Sequence, residues 1–306
     1  MLIIPRHSVI SHLLRPLVEA PFRIAPERAA ELLDLTKRHD IVFTFDSASQ
    51  LNVPEPGRIV FGACEAERLW AAAYAYSELL AIIEEQDGHP GSVIDFTVDP
   101  SRQTWRGLLS WAMRRGVRSE DDEWPLHLPK PTPEPQAGTP MRAATEWFLT
   151  MGGWMLLHEL GHVVNDHFSR SLVTDADRHK CEYEADDWAS AWLLDGWRSY
   201  AGGSDERVFA KRSIGAALAL CVLTSWEVYD RQGDCPTHPD PAKRLLHFLD
   251  RFVPESGERQ ARITDAAWYV VMIVLQFHLV NAGRTVQRPE GYRSMREYIL
   301  DAIHAL

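Results

Sequence analysis

Residues 158–162 read HELGH, which sets two imidazoles and one carboxylate within a single helical turn. Histidines four apart on a helix stack one above the other, so the rings of His158 and His162 reach the same point. Imidazole nitrogen is a borderline-soft donor that suits a zinc ion. Glu159 is rotated about 100° from His158 around the helix. That leaves it poorly placed to ligate and well placed to take a proton from a water at the ion, the work of a general base. By composition alone such a pattern arises in roughly 4 of 100 chains like this one, so its surroundings decide its weight. Trp154, Met155, Leu156, Leu157, Leu160, Val163 and Val164 make the helix too apolar to bury a His-Glu-His set without a compensating partner. A cation is the natural one.

A catalytic zinc site needs a third protein ligand and keeps its fourth position open. CEYEADDWA at 181–189 supplies Glu182 and Asp186, four apart and so on one helix face. Glu182 is expected to ligate, and Asp186 to accept the distal N–H of a ligating histidine and fix its tautomer. Glu184 is the alternative ligand, with Asp187 three residues on, but the ExxxD register favours Glu182. The two patterns coincide by chance at a rate of order half a percent.

Neighbouring residues read more plainly. His167 lies five positions past His162, about 140° around a continuing helix, and is expected to be a surface or capping histidine. A third histidine in the HExxHxxGxxH pattern would need glycine and histidine where Asn165 and Phe168 stand. His179 and Cys181 flank the site, with Cys181 read as a packed thiol rather than a regulatory thiolate. Trp188, Trp192 and Trp197 read as core.

The elements that must position these groups follow from pattern. A long apolar helix is expected over 141–168 and a second helix through 181–189. Upstream lie a short helix over 26–38, strands at 41–45 and 58–62 around a Pro/Gly turn, a helix over 64–86, and a half-buried strand at 92–98. Residues 101–118 carry Trp105, Trp111 and an excess of arginine. They read as an amphipathic helix with a solvated face, the alternative being a surface for an acidic partner or nucleic acid. The Pro-rich acidic stretch 119–140 reads as a linker or loop. It divides a mixed α/β region, 1–118, from a helical zinc-binding region, 141–306, and the two are expected to form one compact unit.

The chain has 306 residues, 45% of them hydrophobic and 25% charged, values that exclude wholesale disorder. A net charge of −11 argues against a general nucleic-acid or anionic-membrane binder. No CxxC pair and no secretory signal are visible, so a cytoplasmic protein with reduced thiols is expected. The apolar stretches 214–223 and 268–280 fall short of the roughly 20 residues a membrane span needs and read as buried core helices.

HELGH followed by EYEAD, with Glu182 twenty residues after His162, resembles the gluzincin pattern HExxH…ExxxD of thermolysin-type and HtpX-like peptidases. THPDPAKRL at 237–245 resembles the HPxxxxR segment of the HtpX-like group. The order of elements is similar to that of the soluble Lit-type phage-exclusion peptidases. The resemblance implies a mainly α-helical α+β fold with a zincin-like core and a small N-terminal sheet, whose edge strand, here 92–98, would hold substrate. It implies a zinc-dependent endopeptidase with one catalytic Zn2+ on His158, His162 and Glu182, Glu159 as base and Asp186 behind the ligands. His238 would contact the oxyanion or substrate, the alternative being a turn histidine before Pro239. Arg244 would orient that segment, and Tyr183 and Tyr229 are candidates for the oxyanion tyrosine. The implied substrate is a polypeptide, one host protein cleaved in a defence or toxin role on arrival of a trigger or activating partner. The competing reading is a zinc-stabilised interaction component without catalysis.

Overall fold

The computed structural model describes residues 8–46, 51–85, 103–113, 124–125, 128–172, 174–202, 206–229, 238–253, 266–281 and 294–305. Among these residues the helices are α1 (Ser11–Ile24), α2 (Ala29–Arg38), α3 (Ala63–Glu85), α4 (Gln103–Met113), α5 (Pro140–Val164), α6 (Asp175–Leu194), α7 (Glu206–Tyr229), α8 (Pro241–Phe252), α9 (Ala266–Asn281) and α10 (Met295–Ala305). The strands are β1 (Val42–Asp46), β2 (Asn52–Glu55) and β3 (Arg58–Gly62). The protein is therefore mainly helical with one small sheet. The strand expected at 92–98 lies outside the described residues.

A helix apolar on every side must be enclosed on every side, and α5 is enclosed. Phe148, Met151, Trp154, Met155, Leu156, Leu157 and Leu160 are all buried, and α1, α3, α6 and α7 pack around them. Thr139 caps its start, accepting from the Arg142 N–H, with Pro140 at the first helical position. The HELGH segment thus occupies the last turns of the most buried helix.

Helix α1 runs through Pro16 and Pro21, where the sequence suggests broken pieces. Packing overrides the propensity. Leu13, Leu14, Leu17, Val18, Ala20 and Pro21 are buried, and α5 offers a glycine where the two helices meet. A Cβ on Gly153 would lie 3.3 Å from the Ala20 Cβ.

The sheet order is β1-β3-β2, with β1 parallel and β2 antiparallel to β3. Strand β2 falls where the sequence reads as a turn. It is a short edge strand, the one place where a residue such as Pro54 costs no ladder bond. Gly57 takes φ 85° in the turn to β3, a conformation glycine adopts without strain.

In α4, Trp105 is buried and lies 4.9 Å from the Phe277 ring, while Leu108, Leu109, Ala112 and Met113 are also buried. Its aromatic residues serve the core, as an amphipathic helix requires. Trp124 and Leu128, within the Pro-rich stretch, are buried too, and Trp124 lies 4.7 Å from Trp111 and 5.8 Å from Trp70. One hydrophobic cluster takes in residues from both sides of that stretch.

The described part of α7 from Glu206 to Trp226 is long and apolar enough to cross a membrane, which the shorter window 214–223 did not suggest. Most of it is buried inside the protein, as a core helix should be.

Candidate metal centre

Two helices and one close approach build the site. Gly161 sits where α6 crosses α5, and a Cβ there would lie 3.1 Å from both Cα and O of Ala185. The missing side chain lets the two backbones meet, which brings Glu182 and Asp186 of α6 against His158 and His162 of α5. A capping box between Thr174 and Asp177 fixes the start of α6.

Nε2 of His158 and Nε2 of His162 are 3.1 Å apart. Glu182 places Oε2 at 3.5 Å from the first and Oε1 at 3.4 Å from the second. Donors bound at about 2.0–2.1 Å on a tetrahedral zinc ion stand roughly 3.3 Å from one another, so this triangle has the right size. The donor chemistry fits as well. Glu182 is buried and, among the described residues, its Oε2 finds no hydrogen-bond donor, a costly state that a cation would relieve.

The outer partners fix the rings. Asp186 Oδ1 is 2.9 Å from His158 Nδ1, so Nδ1 carries a proton and Nε2 is the nitrogen that faces inward. Arg244, at the buried side of α8, donates to both oxygens of Asp186 at 2.7 Å and lies 3.4 Å from Glu182 Oε2. Helix α8 begins at its Asp240 cap, which accepts from the Ala242 N–H at 2.8 Å. His238, just before that cap, is 56% exposed and has Nε2 3.6 Å from Glu182 Oε1.

Electrostatics follow from this arrangement. Burial would lower the His158 pKa, but the neighbouring carboxylates of Asp186 and Glu182 outweigh it and, with no metal bound, push the ring up to about 10. Burial and the charge on His158 push His162 down to about 3. Burial would raise Glu182, but His158, Arg244 and His162 hold it well below the usual carboxylate range. Glu159 moves the other way: burial, with Glu182 and Glu65 adding to it, raises its carboxyl to about 7 against the pull of His158 and Arg244.

The structure brings together His158, His162, Glu182, Asp186 and Arg244, and leaves His238 at the open rim. Glu184 turns away from the triangle. It meets His167 Nε2 at 3.1 Å and Arg170 Nη1 at 2.5 Å. Tyr183 packs on His247, ring centroids 5.0 Å apart, and the side chain of Tyr229 lies outside the described residues. Cys181 is buried 3.8 Å from Arg170 Nη1, and burial raises its pKa, so it is a packed thiol. Trp188 stacks on Trp192, and Trp197 packs against Phe209.

His167 departs from the expectation. It is only 3% exposed, and its Nδ1 is 2.8 Å from Nδ1 of His162. A position 140° around holds only for a helix running to 168, but α5 ends at Val164. Asp166 takes φ 54° and turns the chain back, so the one-turn 3-10 helix His167–Ser169 folds under His162. The Asn165-Asp166 pair, two residues tolerant of left-handed backbone, was the available signal.

The sequence profile of the family described as Peptidase U49 matches residues 59–268, from β3 into α9, with every residue of the site inside it. The chain belongs to the Peptidase U49 family. A cell death peptidase of Escherichia coli (strain K12) is 27% identical over 278 residues, covering 89% of this chain and 89% of its own length. No solved structure matches the chain. Membership in Peptidase U49 makes polypeptide the substrate class, and the side chains at the site bear on the chemistry.

Proposed function

We propose that this member of Peptidase U49 is a zinc-dependent endopeptidase of the gluzincin type, with one catalytic Zn2+ and a zincin-like core. The observation that carries the reading is the triangle of His158 Nε2, His162 Nε2 and the Glu182 carboxylate, with edges of 3.1–3.5 Å, beside a glutamate on the same helix turn. When bound, the ion supplies a Lewis acid for the scissile carbonyl and acidifies a water to a pKa of about 7. Glu159 would be the residue that accepts a proton from the attacking water and returns it to the leaving amine. Asp186 holds the Nδ1 proton of His158, which makes Nε2 the nitrogen that a metal would take, and Arg244 holds Asp186 in place. His238, exposed at the rim, contacts the substrate or the oxyanion.

The similarity to a cell death peptidase along most of both chains supports a role in cell death or defence; the substrate we propose is one specific protein of the host cell. The intact Glu159 favours this over a zinc-stabilised component without catalysis. The test is metal content and hydrolysis measured on the same preparations. Wild type and Glu159→Gln should each hold one zinc, and only wild type should cleave. His162→Ala should lose both zinc and cleavage. A zinc-loaded Glu159→Gln protein with full activity contradicts the assignment.

A further inference from the structure

We infer that His167 and Glu184 form a positioning relay that holds His162 in the tautomer needed to bind the metal, a reading that rests on the zinc site proposed above. The distances run in one line. His162 Nδ1 meets His167 Nδ1 at 2.8 Å, His167 Nε2 meets Glu184 Oε2 at 3.1 Å, and Glu184 Oε2 accepts from Arg170 Nη1 at 2.5 Å. Arg170 also donates to the Asn165 carbonyl at 2.9 Å, at the end of α5.

Only one proton arrangement satisfies this line with neutral rings. A carboxylate accepts only, so His167 must donate from Nε2 and keep Nδ1 as an acceptor. His162 must then donate from Nδ1, which leaves its Nε2 lone pair directed at His158 Nε2 and Glu182. The tautomer of His162 is therefore set through His167 by the carboxylate of Glu184. The other histidine is held the same way by Asp186, which touches it directly. One ligand has a carboxylate behind it, and the other has a histidine and then a carboxylate. Outer partners of this kind fix ring orientation and basicity, and their loss costs about 10- to 100-fold in metal affinity.

His167, Cys181 and Glu184 also lie close enough together to suggest a second cation site. Arg170 argues against it. Its guanidinium holds positive charge against Glu184 and 3.8 Å from Cys181 Sγ, where such an ion would have to sit. Cys181, raised by burial, stays a thiol.

The experiment measures zinc affinity by competition with a chromophoric chelator, together with histidine 15N shifts that report the tautomer. The proteins are wild type, His167→Ala, His167→Asn and Glu184→Ala. His167→Ala should keep its helical content yet bind zinc about 10- to 100-fold more weakly and lose the fixed Nδ1–H signature of His162. Asn offers an acceptor oxygen in place of Nδ1, so His167→Asn should restore most of the affinity. Glu184 is partly exposed, and Glu184→Ala should fold and weaken binding in the same direction, which keeps the test open if His167→Ala does not fold. Wild-type affinity in either His167→Ala or Glu184→Ala overturns the relay alone. A wild type that binds no zinc overturns the metal reading and the relay with it.

Discussion

The smallest unit of the proposed chemistry is a set of six side chains from three helices: His158, Glu159, His162, Glu182, Asp186 and Arg244. Arg244 is the one whose role is most exposed to test. It is buried and bonds both oxygens of Asp186, so its removal would take the guanidinium from Asp186 and Glu182 and leave two buried carboxylates facing histidines. Breaking a buried pair this way costs about 3–5 kcal/mol. Arg244→Met should lower stability by that order in urea melts of the metal-free protein, and Arg244→Lys should not rescue it, because a lysine cannot make the bidentate contact. Much of this set was legible in sequence. HELGH and EYEAD announced His158, Glu159, His162, Glu182 and Asp186 through helical spacing alone. His167 was not legible, because its place depends on where α5 stops and which way the chain turns at Asp166, and spacing rules hold only while the helix continues.

At the scale of elements, the α5–α6 crossing sets the site and Gly161 sets the crossing. Gly161→Ala puts a methyl 3.1 Å from the Ala185 backbone, so α6 must retreat by a few tenths of an ångström. Overpacking of this kind costs about 1–3 kcal/mol. It should also weaken zinc binding by pulling Glu182 from the histidines, measured by the same chelator competition. A second element-level device lies in the core between α3, α7 and α9. His278 is buried there, bonded through Nε2 to Ser225 Oγ at 2.9 Å and Tyr76 Oη at 3.4 Å, and burial pushes it from 6.5 down to about 4. Above pH 6.5 both folded and unfolded chains keep this ring neutral, so it carries no penalty. Between pH 6.5 and 4 only the unfolded chain takes up the proton, and stability falls by about 1.4 kcal/mol per pH unit. His278→Leu should therefore flatten the stability–pH curve in that window, read from urea midpoints. Periodicity found most of the long helices but not α1 or β2. Prolines at 16 and 21 and at 54 argue against regular structure locally, and only the contact with α5 and the edge position in the sheet override them.

On the scale of the whole molecule, the family match begins at β3, yet α1 and α2 precede it and α1 packs along α5. The regions 1–118 and 141–306 share one hydrophobic cluster, and we expect them to unfold together. Thermal unfolding followed at two probes, near-ultraviolet tryptophan signal and far-ultraviolet helix signal, should show one coincident transition. Two separated transitions would mean that the Pro-rich stretch 119–140 joins independent domains. Composition excludes wholesale disorder and charge argues against a general nucleic-acid binder, but they say nothing of which buried faces meet. That information resides in contacts distant in sequence, such as Trp124 on Trp70.

The claim that matters most is that HELGH and Glu182 make this family member a metal-dependent peptidase. Mass spectrometry of new peptide termini tests it directly, in host-cell lysate treated with zinc-verified wild type or with zinc-verified Glu159→Gln. The account predicts termini that appear with wild type, converge on one or a few proteins, and vanish with Glu159→Gln and with a chelator. The same new termini from both proteins, with or without chelator, would contradict it.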